Sequence, residues 1–248
     1  MKKSIIICLV LSITFLCKGL FADGWGTANL SKKVQLALAA DSIVQLSIDA
    51  GAGDLKITGV AGQSEITVVA KVLGDNLSDD DYVLSLEKKG DKALLIAQFN
   101  DNTYNSERID LEVSMPSFLA LLVNDKSGDI SIESVSNGLT LNDRSGDIKL
   151  SNIAGLVRIE DRSGDVIGGD LRGDVIINDR SGEIHLKDVI GDVNIDDSSG
   201  DIRVQKISGV VTVEDSSGDI NVNGAADFKL ISDGSGDVRL RNIKMDLK

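Results

Sequence analysis

Carboxylates are the side chains of this sequence best placed to do chemistry. Acidic residues bracket a recurring Ser-Gly step, giving the pairs Asp161 and Asp165, Asp179 and Glu183, Asp197 and Asp201, Asp215 and Asp219, and Asp233 and Asp237. Two acids per repeat, stacked along one edge, form the oxygen-rich ligand set that a hard cation such as Ca²⁺ takes. They also suit a turn, whose backbone N–H groups an Asp side chain can accept. Like charges stacked ~4.8 Å apart repel by about 0.9 kcal/mol per pair even in the dielectric of water. Arg144, Arg162 and Arg180 fall between the acids of the earlier repeats and would offset this, whereas Ser198, Ser216 and Gly234 stand there later on. The uncompensated stretch, Asp197, Asp201, Asp215, Asp219, Asp233 and Asp237, is therefore the candidate ligand-binding edge.

Other chemistries lack their residues. Calcium-binding nonapeptide solenoids place the Asp two residues ahead of the apolar position, but here Asp147 directly precedes Ile148, which weakens the Ca²⁺ reading. A Ser–His nucleophile needs an adjacent histidine, and the one histidine, His185, falls at a regular outward strand position. Zinc is excluded by that single histidine together with cysteines confined to Cys8 and Cys17. Phosphate-cradling loops need a helix and a lysine after their glycines, which these Gly-Asp steps do not have. No catalytic residue and no resident cofactor or metal is expected. The enzymatic alternative is a carbohydrate-active β-helix using Asp with Arg on one edge. Such enzymes build a cleft from long inserted loops, and residues 127–240 carry none.

The elements that position these acids follow from a strict repeat. Ser-Gly-Asp/Glu recurs at Ser127, Ser145, Ser163, Ser181, Ser199, Ser217 and Ser235, every step being 18 residues. Within a coil the apolar residues alternate, as in Ile184, Leu186, Val189, Val193 and Ile195, which is the pattern of strands with one buried face. Stepping by six from Ile148 meets Ala154 and Glu160, so a hexapeptide helix fails. Stepping by nine meets Val157, Val166 and Val175, so each coil holds two similar half-turns. One coil cannot bury enough to fold alone and must stack, its backbone pairing with the coils above and below. Seven coils make a rod about 34 Å long, and parallel crossovers favour a right-handed path. The fold class is thus all-β, a single-stranded parallel β-helix. Gly168-Gly169 predicts a bulge or thin spot, and GAADFKLISD sets Phe228 and Leu230 one place out of the pattern, an irregular coil near the end.

Residues 1–22 read as an export signal: Lys2-Lys3, an apolar run from Ile5 to Leu16, and the small Ala22. The large Leu16 before Cys17 argues against lipid attachment there. The expected destination is the periplasm, the outer surface or the medium. The net charge of −13, more negative still once Lys2, Lys3 and Lys18 leave, argues against nucleic acid or an anionic membrane as partner. Residues 23–118 form an irregular N-terminal β part and residues 119–248 the regular solenoid. In the irregular part, Gly53-Asp54-Leu55-Lys56-Ile57 matches a half-turn, and the stretch through Val72 reads as a coil with a two-residue insertion. Strands are expected at 34–39, 43–48, 82–88, 93–99, 108–113 and 119–124, with LSKKVQLALAA ambiguous between helix and strand. The polar loops DNLSDDD (75–81) and NDNTYNSER (100–108) are expected to be mobile.

RIDLEVSMPSFLALLVNDKSGDI, followed by repeated Ser-Gly-Asp coils and preceded by GDLKITGV, resembles the bacterial putative-adhesin family of secreted β-helix domains. The resemblance runs from about Ile43 and is strongest from Pro116 to Leu240. It implies a right-handed β-helix at the envelope or surface and brings no catalytic residue with it. The expectation is a non-enzymatic structural or adhesin-like module that meets a protein or glycan, with a Ca²⁺-stabilised structural rod as the remaining alternative.

Overall fold

The computed structural model describes residues 30–100 and 106–244. The leader reading falls outside these residues. The irregular part contains β1 (Leu30–Ala39), β2 (Gln45–Ala50), β3 (Leu55–Val60), β4 (Glu65–Leu73), β5 (Tyr82–Lys89), β6 (Lys92–Phe99) and β7 (Arg108–Pro116). The regular part runs through β8 (Ala120–Asn124), β9 (Ile130–Glu133), β10 (Leu139–Asn142), β11 (Ile148–Ser151), β12 (Val157–Glu160), β13 (Val166–Arg172) and β14 (Val175–Asp179). It continues with β15 (Ile184–Ile190), β16 (Val193–Asp197), β17 (Ile202–Ile207), β18 (Val210–Asp215), β19 (Ile220–Ala225), β20 (Asp227–Asp233) and β21 (Val238–Ile243).

Each coil contributes one strand to each of two sheets, as the nine-residue half-turn requires. The even-numbered strands from β8 to β20 stack in parallel in one sheet, and the odd-numbered strands from β9 to β21 in the other. Register advances by one repeat per coil, so Ile148 lies on Val166, Val166 on Ile184, and Ile184 on Ile202. With side chains alternating across each strand, one set of Ile, Val and Leu columns faces inward from both sheets and forms one continuous core. This is a β-solenoid of about seven turns.

The corners repeat as faithfully as the strands. Toward the C-terminal end of each odd strand or just past it, left-handed backbone recurs in one column, at Ser134, Asn152, Asp170, Asp188 and Lys206 with φ of 52–62°. At the opposite corner Gly200 has φ of 147°, and a Cβ there would run into the Gly182 carbonyl of the coil beneath. That column can hold only glycine.

The N-terminal part departs from the expected coil with an insertion. β2 and β3 do form a coil, pairing in parallel with β8 and β9. The chain that follows does not stack as the next coil. β6 and β7 come back to pair in parallel on the outer side of β2 and β3. Beyond them β4 runs antiparallel to β7, β1 antiparallel to β4, and β5 antiparallel to β6. LSKKVQLALAA is strand, with Val34, Leu36 and Leu38 against the core. A bare parallel edge offers unpaired N–H and C=O groups, and these antiparallel strands cover it.

One local expectation is corrected and one is met. Gly168-Gly169 makes no bulge: β13 stays in register with both neighbours, and the room left by the missing Cβ of Gly168 is taken by the Leu186 and Leu171 side chains. In the 75–81 loop, Asp81 Oδ2 accepts from the Ser78 N–H at 2.6 Å and the Ser78 hydroxyl at 2.8 Å, and Lys32 Nζ lies 2.7 Å from Asp79. Phe228 and Leu230 do lie one place early, opposite Val211 and Val213, and a bulge past Leu230 restores the register so that Asp233 meets Asp215. β20 and β21 are largely exposed, since no described coil stacks on them.

Candidate functional site

The corner after each even strand carries Asp, then a variable residue, Ser, Gly and a second acid. Strand parity decides where each carboxylate goes. In β16, Val193 and Ile195 face inward, and two residues further on Asp197 does the same. Asp125, Asp143, Asp161, Asp179, Asp197 and Asp215 form one inward column, all between 2% and 6% exposed. The acid after the glycine faces outward.

The inner carboxylates are half satisfied. Oδ1 of Asp161 accepts from the Arg162 and Ser163 amides at 2.6 and 3.2 Å, and Asp143 and Asp179 do the same at their own corners. Asp197 and Asp215 accept from Ser199 and Ser217 at 3.0 Å. The second oxygens of Asp143, Asp161, Asp179, Asp197 and Asp215, and both oxygens of Asp125, are buried without a partner. Burial, reinforced by neighbouring carboxylates, raises these acids: Asp125 to about 8, Asp197 to about 7, Asp143 and Asp179 to about 6, with Asp161 and Asp215 also raised. Asp125 sits at the head of the column, with Asp143 as the carboxylate that adds most to the effect of burial.

The outer acids act as stitches between coils. Oδ1 of Asp147 accepts the Asp165 N–H at 3.1 Å, Asp165 accepts that of Glu183 at 2.9 Å, and Asp201 and Asp219 accept those of Asp219 and Asp237 at 3.0 Å. Asp54 and Asp129 carry the same ladder into the irregular part.

Charge compensation is the reverse of what the sequence led us to expect. Arg203 bridges Glu183 and Asp201 at 2.8 Å each, and Arg239 bridges Asp219 at 2.7 Å and Asp237 at 2.6 Å. These arginines belong to strands and reach the acids from two residues past the corner, a spacing the corner pattern does not show. Arg144, Arg162 and Arg180 are exposed and, among the described residues, enter no ion pair. The inner acids that precede them, Asp143, Asp161 and Asp179, are buried but border the same groove as these arginines.

The six acids of the candidate edge therefore separate. Asp197 and Asp215 are buried and Asp233 is partly so, whereas Asp201, Asp219 and Asp237 lie outside. Asp201 and Asp219, with Arg203 and Arg239, line a shallow cavity of about 390 Å³ on the face of the odd-numbered sheet. His185 lies beside it, with Nε2 2.8 Å from Arg203 Nη1 and 3.1 Å from Glu183. Among the described residues no three His, Cys, Asp or Glu side chains converge as a metal-ligand set, and no helix is long and apolar enough to cross a membrane.

A larger groove, of about 680 Å³, runs along the opposite side of the same corner. One ridge is the outward row Asn124, Asn142, Glu160 and Asn178, and the other is Lys126, Arg144, Arg162 and Arg180. Asn142 donates to Asn124 at 2.8 Å, one rung between adjacent coils. Sequence reading took the arginines as neutralisers and passed over the asparagines. Extending the period upstream would have added Asn124, Asp125 and Lys126, which stand before Ser127 as Asn142, Asp143 and Arg144 stand before Ser145.

No curated protein matches the chain. Among solved structures, a protein of Bacteroides fragilis named a putative adhesin superposes with a TM-score of 0.57 at 16% identity, over 86% of this chain and 98% of that one. Another so named, from Parabacteroides distasonis, superposes with a TM-score of 0.52 at 11% identity, over 84% of this chain and 97% of that one. At such identities these likenesses bear on the fold. The Toastrack DUF4097 family model matches residues 20–167 and 170–248, nearly the whole chain, and the protein belongs to that family.

Proposed function

We propose that this protein is a non-enzymatic, exported surface module that holds a stiff, repetitive polar edge out to a partner protein or glycan. The observation that carries this reading is the groove beside the corner, which is lined by equivalent positions of successive coils. An active site gathers different groups around one reacting atom. Here a polar residue and a cation recur at equivalent positions, Asn124 with Lys126, Asn142 with Arg144, Glu160 with Arg162 and Asn178 with Arg180, which suits an extended partner touched many times. The adhesin names of the two solved structures agree with a surface role.

The test is a binding screen of the full chain against glycans and extracellular-matrix proteins, run beside an assay for polysaccharide cleavage. Saturable binding without turnover is expected. Cleavage that disappears on Asp161→Ala or Asp179→Ala would replace this reading with an enzymatic one.

A further inference from the structure

Resting on that surface-module reading, we infer that the N-terminal half of the groove is a binding site for an anionic polysaccharide, with Lys126, Arg144, Arg162 and Arg180 as its anion contacts. In a chain of net charge −13, four cations occupy one column on four consecutive coils, all exposed. The arginines that do hold ion pairs, Arg108, Arg203 and Arg239, all lie elsewhere. Unpaired guanidinium groups present a planar fork that takes carboxylate or sulfate bidentately. The facing ridge supplies amides, which donate to and accept from hydroxyl groups. Asp49 and Asp196 close the two ends of the groove, Glu160 is the one exposed acid between them, and the buried Asp125, Asp143, Asp161 and Asp179 line it beneath the cations, with burial raising all four toward their neutral form. Past Arg180 the column continues as Ser198, Ser216 and Gly234, so the cationic stretch has a defined end.

Spacing selects the polymer. Coils repeat at about 4.8 Å, whereas an extended peptide advances about 3.3 Å per residue and drifts out of step with the column. A pyranose advances its chain by about one coil spacing, so a carboxylated or sulfated glycan lying along the groove meets a cation at regular intervals.

The probes are polygalacturonate and dextran sulfate, with neutral dextran and poly-glutamate beside them, each titrated with the full chain. We expect both anionic glycans to bind, more weakly as salt rises. The groove triple variant Arg144→Gln/Arg162→Gln/Arg180→Gln should weaken binding by about tenfold or more, through loss of charge-assisted contacts. A charge-matched control, Lys149→Gln/Lys187→Gln/Arg241→Gln, should change it by less than about twofold, because screening mutes distant charges. Unchanged circular dichroism and melting of both triples establish that folding is intact. Equal weakening by the two triples overturns the groove assignment, and poly-glutamate binding as tightly as the glycans overturns the polysaccharide class. Binding of neutral dextran or a matrix protein, with neither anionic glycan bound, overturns the anionic site and leaves the surface-module reading standing. No binding to any glycan or matrix protein overturns both.

Discussion

At the corner after each even-numbered strand, two acids four residues apart live under opposite conditions. Asp197 is 2% exposed, with one oxygen on the Ser199 amide and the other without a partner, and burial raises it to about 7. Asp201, whose side chain is 35% exposed, accepts the amide of Asp219 and bridges to Arg203. The inner acids make proton uptake part of folding, while the outer acids join one coil to the next. Chemically identical side chains diverge because a strand sends alternate residues to opposite faces.

The comparison is broken altogether by disturbing the glycine between the two columns. Gly200→Ala should destabilise by about 3 kcal/mol or more, since a strained φ coincides with a backbone collision that cannot relax. Urea unfolding measures it, and a loss below about 1 kcal/mol would mean that the corners yield.

The inner column should appear as an inverted pH profile. Asp143 and Asp179 are raised from 3.8 to about 6, Asp197 to about 7 and Asp125 to about 8, and Asp161 and Asp215 are raised as well. Across that window the folded chain holds protons that the unfolded chain has released, so stability falls as pH rises from about 4 to about 8. Asp79, Asp81 and Glu112 are lowered by their bonds to Lys32, Ser78 and Lys71, and oppose this only in more acid solution. Asp197→Asn keeps an acceptor for Ser199 and gives its neighbours in the column a donor. It should stabilise by about 2 kcal/mol at pH 8 and have little effect at pH 4. Melting curves at the two pH values decide, and a benefit equal at both would remove the protonation account.

The outer column should give smaller, nearly pH-independent effects. Asp147→Ala removes the acceptor of the Asp165 amide and should cost about 1 kcal/mol. Arg203→Gln breaks exposed bridges to Glu183 and Asp201 and should cost less than about 1 kcal/mol, shrinking further in high salt. Denaturant titrations at low and high salt separate these two. A larger loss for Arg203→Gln would move the weight of the outer edge from backbone stitches to ion pairs.

Much of this was legible in the sequence, and the limits have physical causes. The uninterrupted repeat dictated strand, corner and stacking, because each local preference recurs in every coil and all agree. The inward turn of Asp197 was legible too, since it lies two residues beyond Ile195 in one alternating run. Treating the corner as loop hid it. The N-terminal part was less readable, because β3 and β4 look like successive half-turns although β7 enters between them later in the chain. Strand pattern states which face is buried, not which neighbour is chosen.

By itself, then, the 18-residue period determined the β-solenoid, its two strands per coil, its aliphatic core and its glycine corner. A periodic chain has few other ways to satisfy its backbone and bury its apolar columns. Tertiary structure alone decided that the N-terminal strands fold back as an antiparallel cap, that Arg203 and Arg239 neutralise the outer acids, and that Arg144, Arg162 and Arg180 face a groove without an ion pair among the described residues. Those outcomes depend on distances between side chains of different coils, and sequence spacing does not carry that information.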